Sequence, residues 1–197
     1  MIERFFPTLI GYYDNPHHDL FEKDLINRCF ELERNTQKGG DGWLSDTTYN
    51  TQGTLEIWND KKFKGINEFV LEKITEYNNE IGLLNDCVNQ TPRDSWFNIY
   101  RKGDFQEYHA HGNSIISAIY FIKADDKSAK LYFKSPFQDQ LAPEYKGRNA
   151  DTWERIFYNA VPGRLLVFRS YLEHCVEMQK DKELRITSAY NFARNYV

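Results

Sequence analysis

From Trp96 onward the chain is written almost entirely in strand-length runs. Segments 96–101, 105–109, 114–122, 129–134, 163–169, 173–178 and 184–192 are rich in β-branched and aromatic residues and are separated by turn residues. Short strands in that rhythm specify an antiparallel sandwich or barrel. The stretch from Ser135 to Pro162 breaks the rhythm with Pro136, Pro143, Gly147 and Trp153, and its length predicts an insertion over one mouth of the barrel.

The first half reads differently. Phe5 to Tyr13 predicts an opening strand, after which Asn15-Pro16 offers an N-cap with proline at the first helical position. Leu20, Phe21, Leu25, Cys29 and Leu32 recur at helical spacing to about residue 34, and Phe63, Ile66, Val70, Ile74 and Tyr77 do so over about 60–79. Both stripes read as core faces. Between them, 37–53 is rich in Gly, Asp and Thr around a single Trp43 and predicts a loop or short strands, either a mobile lid or a surface loop. At 197 residues the chain suits one domain with its own core. That domain would span 1–197, with 1–95 as helical and strand support and 96–197 as the β core.

Charge and composition narrow the function. The formal net charge is −4 and no block of Lys or Arg is present, which argues against a binder of phosphate backbones. The 14 Phe and 13 Tyr suit a β-rich core and a ring-lined cavity. Cys29, Cys87 and Cys175 are too few and too dispersed for a disulfide framework or a thiolate zinc site, so a reducing cytoplasm is the expected compartment. The N-terminal residues lack a signal-peptide core, and no run approaches the ~20 apolar residues of a membrane span. A small-molecule or peptide substrate is the expected partner, and a homodimer is a candidate assembly.

The chemistry concentrates in four residues. His109 and His111 stand two apart, so on an extended strand they share a face, and His174 from a neighbouring strand could supply a third metal ligand. A lone His-x-His is common on solvated strands, but this one directly precedes the most hydrophobic run in the chain, Ile115 to Ile122. His17 and His18 are adjacent and read instead as a polar pair near a helix start. Cys175 would face away from His174, as a buried structural thiol. On 184–192, Arg185 and Thr187 share one face while Ile186, Ser188 and Tyr190 share the other; on 96–101, Asn98 and Tyr100 oppose Phe97 and Ile99. A buried Arg needs an anion with matching fork geometry. That anion is either a ligand carboxylate or phosphate, or an internal Asp or Glu.

Asn98-Ile99-Tyr100, Gly103, His109-Ala110-His111, Ser117 to Phe121, Pro162 to Phe168, His174 and Arg185-Ile186-Thr187 together resemble the successive signatures of Fe(II) and 2-oxoglutarate dependent oxygenases, in particular a bacterial and phage group of them. The resemblance covers about 96–192; residues 1–95 carry no matching motif. It implies a mainly β fold with flanking α-helices, a double-stranded β-helix (jelly roll, cupin-like) with its site inside one end. It further implies Fe(II) held by His109, His111 and His174, and 2-oxoglutarate held by Arg185 with Thr187, Asn98 and Tyr100. The implied reaction is hydroxylation of a substrate with release of succinate and CO₂. His111 departs from the commoner pattern, in which a carboxylate completes the triad; Glu107 on the same strand is the alternative carboxylate. Two rival readings stand beside this one: a three-His iron dioxygenase without a 2-oxo acid, and a non-catalytic metal-binding jelly roll.

Overall fold

The computed structural model describes residues 1–3, 5–40, 42–137 and 143–195. Its strands are β1 (Ile10–Asp14), β2 (Tyr49–Asn50), β3 (Asp94–Tyr100), β4 (Gln106–His109), β5 (Ile116–Lys123), β6 (Leu131–Lys134), β7 (Arg155–Tyr158), β8 (Arg164–Arg169), β9 (His174–Val176) and β10 (Arg185–Phe192). They build a major sheet in the order β1-β8-β5-β10-β3-β2 and a minor sheet in the order β4-β9-β6-β7. All the pairings are antiparallel. From β3 to β10 the chain passes back and forth between the two sheets, with only β6 and β7 following one another in the same one. That winding is a double-stranded β-helix, as the family resemblance implied.

Two helices, α1 (Glu22–Asn35) and α2 (Lys64–Glu80), cover the far face of the major sheet. Its central strands are therefore buried on both faces, and each strand divides its side chains between two cores. Phe97, Ile99, Tyr120, Val167, Ile186 and Tyr190 pack with Leu25, Cys29, Ile66, Val70 and Ile74 of the helices. Tyr100, Phe121, Leu166 and Phe168 pack with Leu131, Phe133 and Val176 between the sheets. A slip of one residue along β10 would carry Ile186 out of the helix-facing core and Arg185 into it. Each fully buried Ile or Tyr of that strand contributes about 1.5–3 kcal/mol by leaving water, so apolar packing fixes the register that aims Arg185 between the sheets.

Several expectations need correction. The opening strand begins at Ile10, not Phe5. Asn15-Pro16 does not start α1: it leads into a 3₁₀ turn, His18–Leu20, and α1 begins only at Glu22. The reason is that Asn15 is committed elsewhere. Its backbone N–H donates to Gly163 O at 2.9 Å, its Oδ1 accepts from His17 N–H, and its Nδ2 lies 3.3 Å from Tyr120 Oη. Gly163 sits at φ +80°, where an added Cβ would also meet His18 at 2.8 Å, so only glycine fits that contact. His18 is not half of a solvated polar pair; it is buried, with Nδ1 2.8 Å from Tyr120 Oη. The 135–162 stretch is not simply an insertion, because Arg155–Tyr158 forms the outer strand of the minor sheet against β6. Residues 138–142 of that stretch lie outside the described residues.

Candidate metal centre

His109 closes β4 and His174 opens β9, and the two are directly opposite one another in the antiparallel ladder. Paired residues project to the same face, and the two rings lie 4.2 Å apart between centroids. His111 reaches the same place by another route than strand periodicity. β4 has already ended, and the chain turns there: His111 N–H donates to Ser170 O at 2.9 Å, and its carbonyl accepts from Ser114 N–H at 3.2 Å. Its ring is 5.0 Å from that of His109 and 5.2 Å from that of His174. One ligand nitrogen from each of the three lies within 4.8 Å of the others.

The backbone decides which nitrogens are available. His109 Nδ1 lies 2.9 Å from Glu107 O, and His174 Nδ1 lies 3.0 Å from Leu172 O. A carbonyl only accepts, so both rings carry their proton on Nδ1 and leave the Nε2 lone pair free. Burial disfavours the imidazolium in all three and holds their pKa values down, that of His111 to about 3, with repulsion from His109 adding to it. The rings are neutral at physiological pH, which is the form that binds metal. His174 is 2 % exposed and is walled by Phe133 and Phe168; Trp96 stands edge-on to His111 at 5.9 Å.

Glu107 is not part of this cluster. Both its carboxylate oxygens face the backbone N–H of Leu44, at 3.3 Å, and so secure the 37–53 loop against β4. The same loop is tied by Thr48 Oγ1 donating to Phe105 O at 3.1 Å and by Thr47 Oγ1 donating to Asp104 Oδ1. Cys175 faces away from the histidines, as expected, but it is half-buried beside Tyr108 and not the buried thiol expected from the sequence.

Deeper in the same cavity lies Arg185, 1 % exposed. Its guanidinium is stacked on the rings of Tyr100 and Phe121, 4.7 and 5.2 Å from their centroids. Among the described residues Nε, Nη1 and Nη2 make no well-formed hydrogen bond, although the Tyr100 hydroxyl is near enough to raise the Arg185 pKa, and no Asp or Glu forms an ion pair with it. The internal salt bridge that the sequence left open is therefore absent among the described residues. Burial pulls the Arg185 pKa down while nearby Tyr100 pulls it up, and burial pushes the Tyr100 hydroxyl up to about 12. Tyr100 Oη donates to Gln106 Oε1 at 3.3 Å. Asn98 and Thr187 face one another across β3 and β10: Asn98 Nδ2 donates to Thr187 Oγ1 at 3.2 Å, while Asn98 Oδ1 accepts from Trp96 Nε1 at 3.0 Å.

All seven residues singled out from the sequence line one cavity, together with Trp96, Gln106, Ser117 and Asn191, which sequence reasoning did not select. Asn191 was within reach, since it continues the Arg185, Thr187 face of β10 by the same period of two. Trp96 and Gln106 carry no signal in type or spacing, and Ser117, though it opens one of the segments that carry the family resemblance, has no site role implied there.

Comparison with known proteins agrees with this geometry. Residues 94–191 match the family model described as "Putative 2OG-Fe(II) oxygenase". None of the curated proteins matches the chain in sequence. Among solved structures, a Pseudomonas putida prolyl-4-hydroxylase superposes with a TM-score of 0.67 at 13% identity, covering 96% of this chain and 94% of that one. HygX from Streptomyces hygroscopicus, solved with nickel, 2-oxoglutarate and hygromycin B, gives 0.63 at 11% identity over 96% of this chain and 84% of that one. A Trichoplax adhaerens prolyl hydroxylase, in complex with a hypoxia inducible factor peptide fragment, gives 0.63 at 9% identity over 93% and 84%. At these identities the superpositions establish the shared fold.

Proposed function

The chain belongs to the 2OG-Fe(II) oxygenases, and from that premise we propose that it hydroxylates a small-molecule or peptide substrate at an Fe(II) centre held by His109, His111 and His174. Bound iron and 2-oxoglutarate supply the oxidising power, leaving succinate and CO₂ as co-products. The observation that carries the reading is Arg185, a fully buried cation with no carboxylate partner and no well-formed hydrogen bond among the described residues, in the same cavity as three neutral imidazoles. An isolated buried charge is costly, and a planar fork of donors matches a carboxylate.

The roles of the chain's own groups follow. His109 and His174 present Nε2 because backbone carbonyls hold their Nδ1 protons. Arg185 takes the far carboxylate of 2-oxoglutarate, with the hydroxyls of Thr187 and Tyr100 on the same face and Asn98 keeping Thr187 in place. Phe121, Phe133, Phe168 and Val176 keep water from the inner wall. The substrate would approach past the 37–53 loop, where Leu44 is exposed and its backbone is pinned to Glu107, two residues before His109. Support for a small-molecule or peptide substrate comes from neighbours of the same fold, one solved with hygromycin B and one with a peptide fragment. We place the domain over 1–197, with α1, α2 and β1 supporting the major sheet. Its three free cysteines fit a reducing cytoplasm.

The test is an anaerobic titration of 2-oxoglutarate into the Fe(II) protein, following the metal-to-ligand charge-transfer absorption. A saturable band supports chelation at this site; its absence would overturn the 2-oxoglutarate reading and favour a three-His dioxygenase.

A further inference from the structure

The third histidine is held differently from the other two. Among the described residues no carbonyl pairs with His111 Nδ1, which lies instead 3.2 Å from Asn191 Nδ2. Asn191 Oδ1 accepts from Ser117 Oγ at 2.8 Å, and Ser117 Oγ lies 2.8 Å from Ser170 Oγ. Asn191, Ser117 and Ser170 are 3 %, 1 % and 1 % exposed, so this relay is closed to solvent. Ser170 also receives the His111 backbone N–H on its carbonyl, so one short segment holds both the backbone and, through the relay, the ring of His111.

A carbonyl permits one tautomer, whereas a carboxamide permits either. With Nδ2 donating to His111 Nδ1, the neutral ring must carry its proton on Nε2, pointing into the cavity, and cannot offer that nitrogen to a metal. With the amide turned over, Oδ1 accepts a proton from Nδ1 and frees Nε2. Nδ2 then donates to Ser117 Oγ, which passes its own hydrogen to Ser170 Oγ. The contacts persist in both settings, because hydroxyls donate or accept and the two ends of a carboxamide have nearly the same shape.

We propose that Asn191 is a positioning residue for the metal centre: keyed by the Ser117–Ser170 hydroxyls, its carboxamide accepts from His111 Nδ1 when His111 is a ligand and turns over when the metal leaves. The proposal rests on the reading of His111 as third ligand. It assigns to β10 a second task beside carrying Arg185, and it makes the tautomer of one ligand a property that a hydroxyl relay sets.

The test is optical titration of Co(II) into the metal-free protein, with the visible ligand-field bands reporting occupancy. His111→Ala is expected to weaken binding, and Asn191→Ala to weaken it by about 10–100-fold, the range found when an outer-shell partner of a ligand is removed. Asn191→Asp, an acceptor of the same shape, is expected to bind Co(II) at least as tightly as the natural chain. Wild-type affinity in Asn191→Ala, alongside weakened binding in His111→Ala, overturns the proposal. Unchanged affinity in His111→Ala overturns instead the three-ligand reading beneath it. Should Asn191→Ala fail to fold, Asn191→Asp decides: binding weaker than the natural chain means that the amide N–H is the group required. ¹⁵N-histidine NMR of the zinc-loaded protein gives an independent readout. A protonated Nδ1 on His111 is expected, and a protonated Nε2 refutes the assignment.

Discussion

Replacing Arg185 with Met tests whether the buried guanidinium serves a ligand or the fold. In the protein without co-substrate, its three nitrogens make no well-formed hydrogen bond among the described residues and the side chain is 1 % exposed. The effective cost of such a desolvated charge is several kcal/mol. Stacking on Tyr100 and Phe121, at 4.7 and 5.2 Å, returns about 2 kcal/mol per desolvated ring. Methionine keeps much of the stem's packing and has no charge to desolvate, so the variant is expected to be more stable than the natural chain by about 1–3 kcal/mol. At roughly 2–4 °C per kcal/mol for a chain of this size, the midpoint rises by about 2–12 °C. The gap narrows by about 2.7 kcal/mol once metal and 2-oxoglutarate are added, because at a hundred times its Kd the co-substrate is expected to stabilise the natural chain by that amount and the variant not at all. Thermal unfolding followed by circular dichroism, with and without both ligands, measures each effect. A loss of about 3–5 kcal/mol in the ligand-free variant is what breaking a structural ion pair produces, and would refute the argument.

Arg185→Lys keeps the charge but loses the fork, and is expected to weaken 2-oxoglutarate by about 1–3 kcal/mol in the charge-transfer titration while metal affinity stays the same. His109→Ala and His174→Ala should each lose iron on anaerobic purification and with it all turnover; full occupancy by metal analysis in either variant would contradict the ligand set. His111→Asp should retain iron, since it restores the commoner two-His-one-carboxylate set; complete loss of iron with an intact fold would show that the position does not face the metal. For pH, the His111 pKa is lowered from 6.5 to about 3 by burial, so its contribution to stability is full above 6.5 and declines as pH falls toward 3. At pH 5 this amounts to about 2 kcal/mol from His111 alone in the metal-free protein. Denaturant midpoints at pH 7.5 and 5 check it, and a stability that rises toward acid would contradict it.

Strand periodicity made the major sheet legible, because β3 and β10 divide their residues between two apolar cores and so cannot be read in the wrong register. Arg185, Thr187, Asn98 and Tyr100 come to one cavity for that reason. Placing His109 opposite His174 followed from pairing adjacent strands. His111 arrived at the right place for a reason the pattern does not contain: its position depends on a turn clasped by Ser170 and Ser114. The fate of Asn15 was equally unreadable. Its local sequence is a helix start, yet Gly163 and Tyr120, more than a hundred residues away, claim its hydrogen bonds. Glu107 illustrates the same limit, since its spacing admits a metal ligand and only the docked 37–53 loop reveals where its carboxylate goes. β7 escaped notice because prolines and glycines precede it and because an edge strand needs pairing on one side only.

The absence of a carboxylate has a consequence beyond the identity of one ligand. Among the described residues no Asp or Glu lines the cavity, the three imidazoles are neutral, and Arg185 is a cation. A divalent metal entering alone would therefore meet a site whose one fixed charge among the described residues has its own sign, in surroundings too dry to screen it well. A two-His-one-carboxylate centre starts with one negative charge more. In the proposed reading the compensating charge would come with the co-substrate, a dianion for which the three histidines' metal and Arg185 would be the two partners. On that reading metal and 2-oxoglutarate are expected to be linked thermodynamically, each tightening the other by the same factor, which titration of Co(II) with and without 2-oxoglutarate checks: equal affinities would contradict it. On the proposed reading, histidine at position 111 and an Arg185 without a carboxylate partner among the described residues belong together: the charge that each leaves unbalanced is the one the 2-oxo acid would supply.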